Sequence, residues 1–198
     1  TNQVLAQIEL FKHGAKYGKD VYRVCFKDSF QGTMLARFAW NSLKAKSAAV
    51  LTDKGSAYSV GLSEQFSKEF QRLGGTTFDE VFSANDKDFT ALVQKVGQRK
   101  PDVIACTGYY GSAGPMLRVS TEAWKGIPVI GGDGLDSDKL MKLAGEPTSR
   151  VYFTSHFVAT DTDPVVQGFV EKYRGKFGGK VPDAMAALGY DSAMILAD

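Results

Sequence analysis

Short apolar runs alternate with longer segments in which apolar residues recur every three or four positions. The short runs are rich in Val, Ile, Phe, Tyr and Thr, and several are apolar almost throughout, which is typical of strands buried on both faces. They predict strands at residues 20–26, 48–52, 76–83, 102–107, 127–131 and 150–156.

The segments between these runs predict amphipathic helices with one apolar face. Gly74 and Gly75 follow one such segment as a C-cap, Pro101 follows the next, and Asp136 or Ser137 supplies an N-cap for a short helix. The apolar positions are Leu35, Phe38, Ala39 and Leu43; Leu62, Phe66, Phe70 and Leu73; Phe89, Leu92, Val93 and Val96; and Leu140, Met141 and Leu143. Repeated strand–helix–strand units predict an α/β fold, a flavodoxin- or Rossmann-like three-layer sandwich with a mostly parallel sheet.

Two stretches fall outside the repeating unit, which occupies residues 20–157. Residues 1–19 predict a small amphipathic appendage helix that stops near Gly14. Residues 158–198 predict two further helices, each with apolar positions. Because the sheet is already covered by helices on both faces, these apolar positions have no face of it left to pack on. These positions are Val166, Phe169, Val170, Tyr173 and Phe177, then Leu188, Ile195 and Leu196. We therefore expect the two helices to pack on another domain or on a second copy of the chain, as a homodimer.

Composition and charge argue against several classes of function. The 24 basic and 22 acidic residues are spread evenly and give a net charge of +2, without the basic stripe that nucleic-acid binding needs. No run reaches the roughly 20 apolar residues of a membrane span. Cys25 and Cys106 lie in apolar runs without CxxC spacing, which favours two buried thiols over a disulfide or a metal site.

A catalytic centre is hard to assemble from this sequence. His13 and His156 are the only histidines, and neither lies beside a serine in a strained turn or a cysteine in a loop between a strand and a helix. A GxSxG elbow and the glycine patterns of phosphate-binding loops are both absent. We therefore expect no enzyme activity and no cofactor.

A ligand site is expected beyond the carboxyl ends of the parallel strands. The segments there contain Asp28, Tyr58, Tyr109 and Asp133. Aromatic walls with one carboxylate suit a small, partly apolar ligand that carries an ammonium group. Asp133 in its Gly-Asp-Gly setting has an alternative interpretation as a simple turn residue, and the tyrosines as rim packing.

Four separated runs at these loops resemble one family. They are Tyr22–Gly32 (YRVCFKDSFQG), Gly131–Ser137 (GGDGLDS), Val151–Thr154 (VYFT) and Pro182–Asp191 (PDAMAALGYD). Together they look like the leucine/isoleucine/valine-binding family, the type I periplasmic substrate-binding proteins of ABC transporters. The resemblance covers nearly everything after residue 20.

The resemblance implies one lobe of a two-lobed binding protein. Residues 22–154 would form the C-terminal lobe, and the helices that follow would return to a first lobe that this sequence does not match. Asp133 would receive the α-ammonium of an amino acid, and Tyr58 and Tyr109 would line the pocket, whereas Met185 departs from an aromatic in the family pattern. It further implies a membrane permease as partner, a periplasmic or extracellular location, and weak binding by the single lobe.

Two other functions stay open on the sequence. The same fold serves as the ligand-sensing domain of receptors and regulators. An α/β enzyme using Asp133 or Asp28 as an acid–base group is the other alternative.

Overall fold

The structure is a computed structural model that describes residues 24–145 and 150–197. The chain divides into two compact units. One is Lys27–Thr154, and the other includes residues 24–26 and 155–197. Each unit is described by itself below.

The Lys27–Thr154 unit alternates helices and strands as the apolar runs predict. In chain order its elements are α1 (Asp28–Asn41), β1 (Ser47–Asp53), α2 (Ala57–Arg72), β2 (Thr76–Phe82), α3 (Thr90–Gln98), β3 (Val103–Cys106), α4 (Tyr110–Val119), β4 (Val129–Gly131), a 3-10 turn (Asp133–Leu135), α5 (Asp138–Ala144) and β5 (Val151–Phe153). The strands form one sheet in the order β2-β1-β3-β4-β5, and every pairing is parallel. The predicted α/β fold with a parallel sheet is confirmed.

Helices cover both faces of the sheet. Successive strand residues point to opposite sides, so strands that are apolar at every position make both faces apolar. Ala48 and Val50 of β1 pack with apolar residues of α1 and α2. Ala49 and Leu51 pack with those of α3, α4 and α5. The central strands are buried on both sides, which explains why their sequences are apolar without alternation. The three-layer sandwich is therefore confirmed.

The helices α1 and α2 pack closely together. A Cβ on Gly32 would lie 2.8 Å from Gln65 Cβ and 2.9 Å from Leu62 O, so glycine is needed for this approach. At the surface of the pair, Glu69 accepts hydrogen bonds from Arg72 and Arg37, and these bonds lower the pKa of Glu69 to about 2. The contact fixes the position of α1 against α2.

Helix ends agree with the sequence signals. Gly74 follows α2 with a φ of 99°, as expected of a C-cap glycine. Ser137 is the N-cap of α5, and its side chain accepts from the Lys139 N–H. Pro101 lies just past the end of α3.

Two expectations need correction. Of the predicted strand 20–26, residues 20–23 lie outside the described residues, and Val24–Phe26 are not in a strand, because none of the described strands pairs with them. In addition, the apolar pattern predicts no helix between residues 107 and 127, whereas Tyr110–Val119 form α4. Pro115 and two glycines in that helix hide its helical pattern.

The prediction of two buried thiols is correct for Cys106 and only partly correct for Cys25. Both thiols are free. Cys106 is buried in β3, and burial raises the pKa of its thiol to about 11. Cys25 is only partly buried, since it precedes the sheet unit rather than lying within a strand.

The second unit contains the two predicted C-terminal helices, α6 (Pro164–Lys176) and α7 (Ala184–Ala197). Asp163 caps α6 by accepting from the Val165 N–H, and Pro164 occupies the first turn. Phe169 makes aromatic contacts with Phe157, Tyr173 and Tyr190. A cleft of about 740 Å³ lies along this aromatic cluster.

Many apolar side chains of this unit are exposed. Val165 is 82% exposed and Leu196 75%, while Val170 is among the few that are buried. In the described ranges, no helix is both long and apolar enough to cross a membrane. The predicted appendage helix at residues 1–19, with His13, lies outside the described residues.

Candidate ligand-binding site

The sheet has a topological switch point between β1 and β3. The chain leaves β1 for β2 on one side and later continues from β3 toward β4 on the other, so the segments after β1 and β3 diverge at their carboxyl ends. Tyr58 follows β1 in the first turn of α2, and Tyr109 immediately precedes α4 after β3. Asp133 follows β4. The three predicted site residues therefore lie along one edge of the parallel sheet.

Asp133 is a half-buried carboxylate held by two donors. Its Oδ1 accepts from the Tyr58 hydroxyl at 2.9 Å and from Gln31 Nε2 at 2.8 Å. The backbone N–H of Asp133 donates to Gln31 Oε1 at 3.0 Å. Charge-assisted hydrogen bonds of this kind stabilise the ionised carboxylate and fix its direction.

The two tyrosines form an aromatic pair beside this carboxylate. Their ring centroids lie 5.1 Å apart with the ring planes at 32°. Burial, followed by the negative charge of Asp133, raises the pKa of both Tyr58 and Tyr109 above the ordinary value. Both hydroxyls therefore stay protonated at neutral pH. Tyr109 is 49% exposed, so much of its ring faces outward at the sheet edge.

Glycines on either side of Asp133 allow the close packing of Tyr58. The Tyr58 hydroxyl accepts from the Gly134 N–H at 3.0 Å. A Cβ on Gly132 would overlap this hydroxyl and lie 2.9 Å from Gln31 Oε1. A Cβ on Gly134 would lie 3.1 Å from a ring carbon of Tyr109. Packing around Asp133 therefore requires glycine at Gly132 and leaves little room for a Cβ at Gly134, in addition to the role of this sequence in forming a turn.

A buried chain of hydroxyl groups anchors the start of α2, and with it Tyr58. Ser59 Oγ lies 2.7 Å from Thr107 Oγ1, which in turn lies 2.8 Å from Ser63 Oγ. Ser59 also accepts from the Asp53 N–H at 2.8 Å, and Thr107 donates to Leu51 O at 3.0 Å. These bonds tie the first turns of α2 to the carboxyl ends of β1 and β3.

Two residues of the site were missed by the sequence analysis. Gln31 was noted only within the run that carries the family resemblance, and Thr154, whose hydroxyl donates to Gln31 Oε1 at 2.6 Å, was noted only as the end of another run. The available signal for Gln31 was a polar residue on the buried face of an amphipathic helix. Asp28 lies in the first turn of α1, where its charge adds to that of Asp133 in raising the pKa of both tyrosines.

Metal chemistry has no support at this edge. Throughout residues 24–145 and 150–197, no group of three His, Cys, Asp or Glu side chains is placed to hold a metal ion. His156 belongs to the other unit, where its ring lies 3.8 Å from that of Phe26.

Comparison with known proteins assigns the family. The sequence pattern of the periplasmic binding protein family matches residues 10–198. The chain belongs to the periplasmic binding protein family. Its parallel sheet and covering helices form one lobe of the type I fold of these proteins.

Several relatives of this periplasmic binding protein have names that state which amino acids they bind. Leu/Ile/Val-binding protein homolog 3 of Brucella melitensis is 30% identical over 160 residues, which cover 80% of this chain and 43% of that protein. The crystal structure of a leucine binding protein, LivK, from Thermotoga maritima has 39% identity and a TM-score of 0.82, and the match covers 88% of this chain and 50% of that one. LivJ from Streptococcus pneumoniae, a branched-chain amino acid transporter substrate binding protein solved with isoleucine, has 32% identity and a TM-score of 0.80 over 87% and 49% of the two chains.

Two consequences follow for this periplasmic binding protein. The chain spans about half the length of the relatives it matches, so the comparisons describe proteins about twice its length. The family is one of binding proteins and not of enzymes, so the alternative of an enzyme acting through Asp133 or Asp28 is set aside.

Proposed function

We propose that this chain is the C-terminal lobe of the substrate-binding component of an ABC transporter, and that it captures an amino acid with a branched or similar apolar side chain. The observation that carries the proposal is the Asp133 carboxylate, held in one direction next to the Tyr58–Tyr109 pair. The names of the Brucella, Thermotoga and Streptococcus relatives support the same ligand class.

The chemistry of each group suits one part of such a ligand. Asp133 offers a fixed carboxylate to the α-ammonium, a charge-assisted contact that is stronger than a neutral hydrogen bond. The exposed ring of Tyr109 offers an apolar surface, and its negative face also attracts a cation. The α-carboxylate of the ligand would be held by donors of a first lobe, and a membrane permease of the transporter would receive the cargo. The place of action would be periplasmic or extracellular.

The helices after residue 157 fit the same proposal. Their exposed apolar side chains would pack on the first lobe of the whole protein, because leaving such area in water is unfavourable by about 25 cal/mol per Å². Where that lobe is absent, we expect the same side chains to associate between copies, as a homodimer. Light scattering on the chain at rising concentration tests this. A compact monomer throughout would contradict the dimer and leave the ligand proposal intact.

The ligand proposal is tested by NMR titration of the chain with leucine. We expect the amide signals of Gly132, Gly134 and Tyr109 to shift, with a dissociation constant of about 1 mM or weaker. This corresponds to a binding free energy of roughly −4 kcal/mol, or a less favourable value, from half of a binding site. The matched control ligand is 4-methyl-2-oxopentanoate, which keeps the carbon skeleton and carboxylate of leucine and lacks its ammonium group. Asp133→Asn is the matched variant, since it removes the charge at nearly constant volume.

The expected result is a set of shifts that leucine produces, that the oxo acid does not, and that Asp133→Asn abolishes. Equal shifts with leucine and the oxo acid would show that the ammonium is not what the site recognises. Sub-micromolar binding of leucine would show that the lobe is a complete site by itself, against the proposal of a shared one.

A further inference from the structure

Gln31 is a polar residue on the buried face of α1. It is 1% exposed, and the neighbouring buried positions of the helix are Gly32, Leu35, Ala36 and Ala39. A buried amide is destabilising unless its donors and acceptor are hydrogen-bonded. An apolar residue at this position would serve packing alone, so the bonds of Gln31 indicate what the amide does.

Those bonds converge on Asp133 from two sides. Nε2 donates to the carboxylate at 2.8 Å, while Oε1 accepts from the backbone N–H of the same residue at 3.0 Å. Oε1 also accepts from the Thr154 hydroxyl at 2.6 Å. Rotating the amide by 180° would point Oε1 at the carboxylate and an N–H at a backbone N–H, so Asp133 itself selects the orientation of the Gln31 amide.

We infer that Gln31 is a positioning residue that fixes the direction of the Asp133 carboxylate before ligand arrives, and that Thr154 holds Gln31 in place for this task. The inference deepens the proposed function, on which it rests for the identity of the ligand. Gln31 acts through Asp133, while Asp133 and Tyr109 make the contact with the ligand.

The physical basis is preorganisation. A carboxylate held by Tyr58 alone can turn about its side-chain bonds, whereas two donors on Oδ1 and a bond from its own N–H leave it one orientation. A side chain that is already ordered in the free protein loses no further conformational entropy when the ligand binds, so binding is stronger. The donor Nε2 also favours the ionised form of Asp133, in a neighbourhood that contains the negatively charged Asp28 and the protonated hydroxyls of Tyr58 and Tyr109.

The test compares three variants of the full chain. Gln31→Met keeps the volume and removes every hydrogen bond of the amide. Thr154→Val removes only the hydroxyl that holds Oε1. Leu35→Val loosens the packing of the same face of α1 and touches none of these bonds, so it controls for a merely structural effect.

The first measurement uses the chain without ligand and follows the carboxyl carbon of Asp133 by NMR as the pH is changed. We expect the pKa of Asp133 to rise by about one unit in Gln31→Met, because a hydrogen bond to the charged form is lost. A smaller rise is expected in Thr154→Val, and none in Leu35→Val. An unchanged pKa in Gln31→Met, or an equal rise in Leu35→Val, would overturn the inference.

The second measurement repeats the leucine titration with the same variants. We expect binding to weaken about tenfold in Gln31→Met, as for the loss of one hydrogen bond to a charged group, and to be unchanged in Leu35→Val. If the wild-type chain shows no leucine-dependent shifts while the Asp133 titration moves as expected, the proposed function fails and the positioning role of Gln31 is still supported. Unchanged affinity in Gln31→Met, with binding present in the wild type, contradicts the role.

Discussion

Gly132 is the position in the site where the neighbouring atoms leave the least room for a side chain. A Cβ added there would overlap the Tyr58 hydroxyl and lie 2.8 Å from Leu62 Cδ2 and 2.9 Å from Gln31 Oε1. Gly61, in the interior of α2, meets nothing within 4 Å when given the same atom. Gly132→Ala and Gly61→Ala therefore form a matched pair, with the same change in chemistry and opposite surroundings.

The expected magnitudes follow from these contacts. To reach ordinary van der Waals contact with the new Cβ, the Tyr58 oxygen must retreat by about 1 Å, which breaks its bonds to Asp133 and to the Gly134 N–H. Overpacking of this kind destabilises by about 1–3 kcal/mol, and an unsatisfied buried N–H adds about 1–3 kcal/mol. We expect Gly132→Ala to lower the free energy of unfolding by about 2–6 kcal/mol, the sum of these two contributions. Gly61→Ala should raise it by about 0.5–1 kcal/mol, because alanine loses less backbone entropy in a helix.

The assay is urea unfolding followed by tryptophan fluorescence. Trp40 and Trp124 are the two tryptophans of the sequence, and both lie in the Lys27–Thr154 unit, so the signal reports that unit alone. With a slope of about 1–3 kcal/mol per M, the expected loss shifts the midpoint downward by about 1 M or more. The double variant Gly132→Ala with Tyr58→Phe should be less destabilised than the sum of the single changes, by about 1 kcal/mol, since the overlapping oxygen is gone. Strict additivity, or a Gly132→Ala midpoint equal to that of wild type, would refute the packing argument.

Three further predictions concern other parts of the same unit or its border. Tyr109→Ala should lower the urea midpoint only slightly, because the ring is half exposed but loses its contact with the Tyr58 ring, and should remove the leucine-dependent NMR shifts. Since the pKa of Glu69 lies below its ordinary value, its stabilising contribution is present above about pH 4.5 and is lost as the pH falls toward about 2. Glu69→Gln should accordingly lower the midpoint at pH 7, with a deficit that shrinks over that window, whereas Glu122→Gln at an exposed ion pair should show no such trend. Disulfide-exchange labelling at pH 8 should modify Cys25 in the folded chain and Cys106 only after unfolding, because thiolate formation at Cys106 is suppressed by burial. Rapid labelling of both thiols in the folded chain would contradict this.

The fold could be predicted because parallel strands and their covering helices leave strong local signals. The run from Ala48 to Thr52 is apolar because β1 is central and covered on both faces, and its burial matches that expectation. The helix α4 could not be recognised in the same way, since its interior proline and glycines are residues that weaken an isolated helix, and tertiary packing of Met116 and Leu117 overrides that preference.

The candidate site was predictable only in part. Tyr58, Tyr109 and Asp133 follow strands of one parallel sheet, so topology alone brings them to one edge. The hydrogen bond of Tyr58 to Asp133 depends on how α2 packs against the Gly132–Gly134 segment, and the participation of Gln31 depends on how α1 does. No local pattern encodes either contact. The role of the three as ligand contacts stays a prediction that the leucine titration decides.

The bonds around Gln31 have a consequence for how this unit comes to be folded. Gln31 is separated from Asp133 by 102 residues and from Thr154 by 123. Contacts between such distant parts of a chain are slow to form, because a long loop must first be closed. At a synthesis rate of roughly 5–20 residues per second, α1 leaves the ribosome about 5–25 seconds before the partners of its amide exist. During that interval neither partner is available to the amide, so the carboxylate edge of the sheet can be completed only after both ends of the unit have been synthesised.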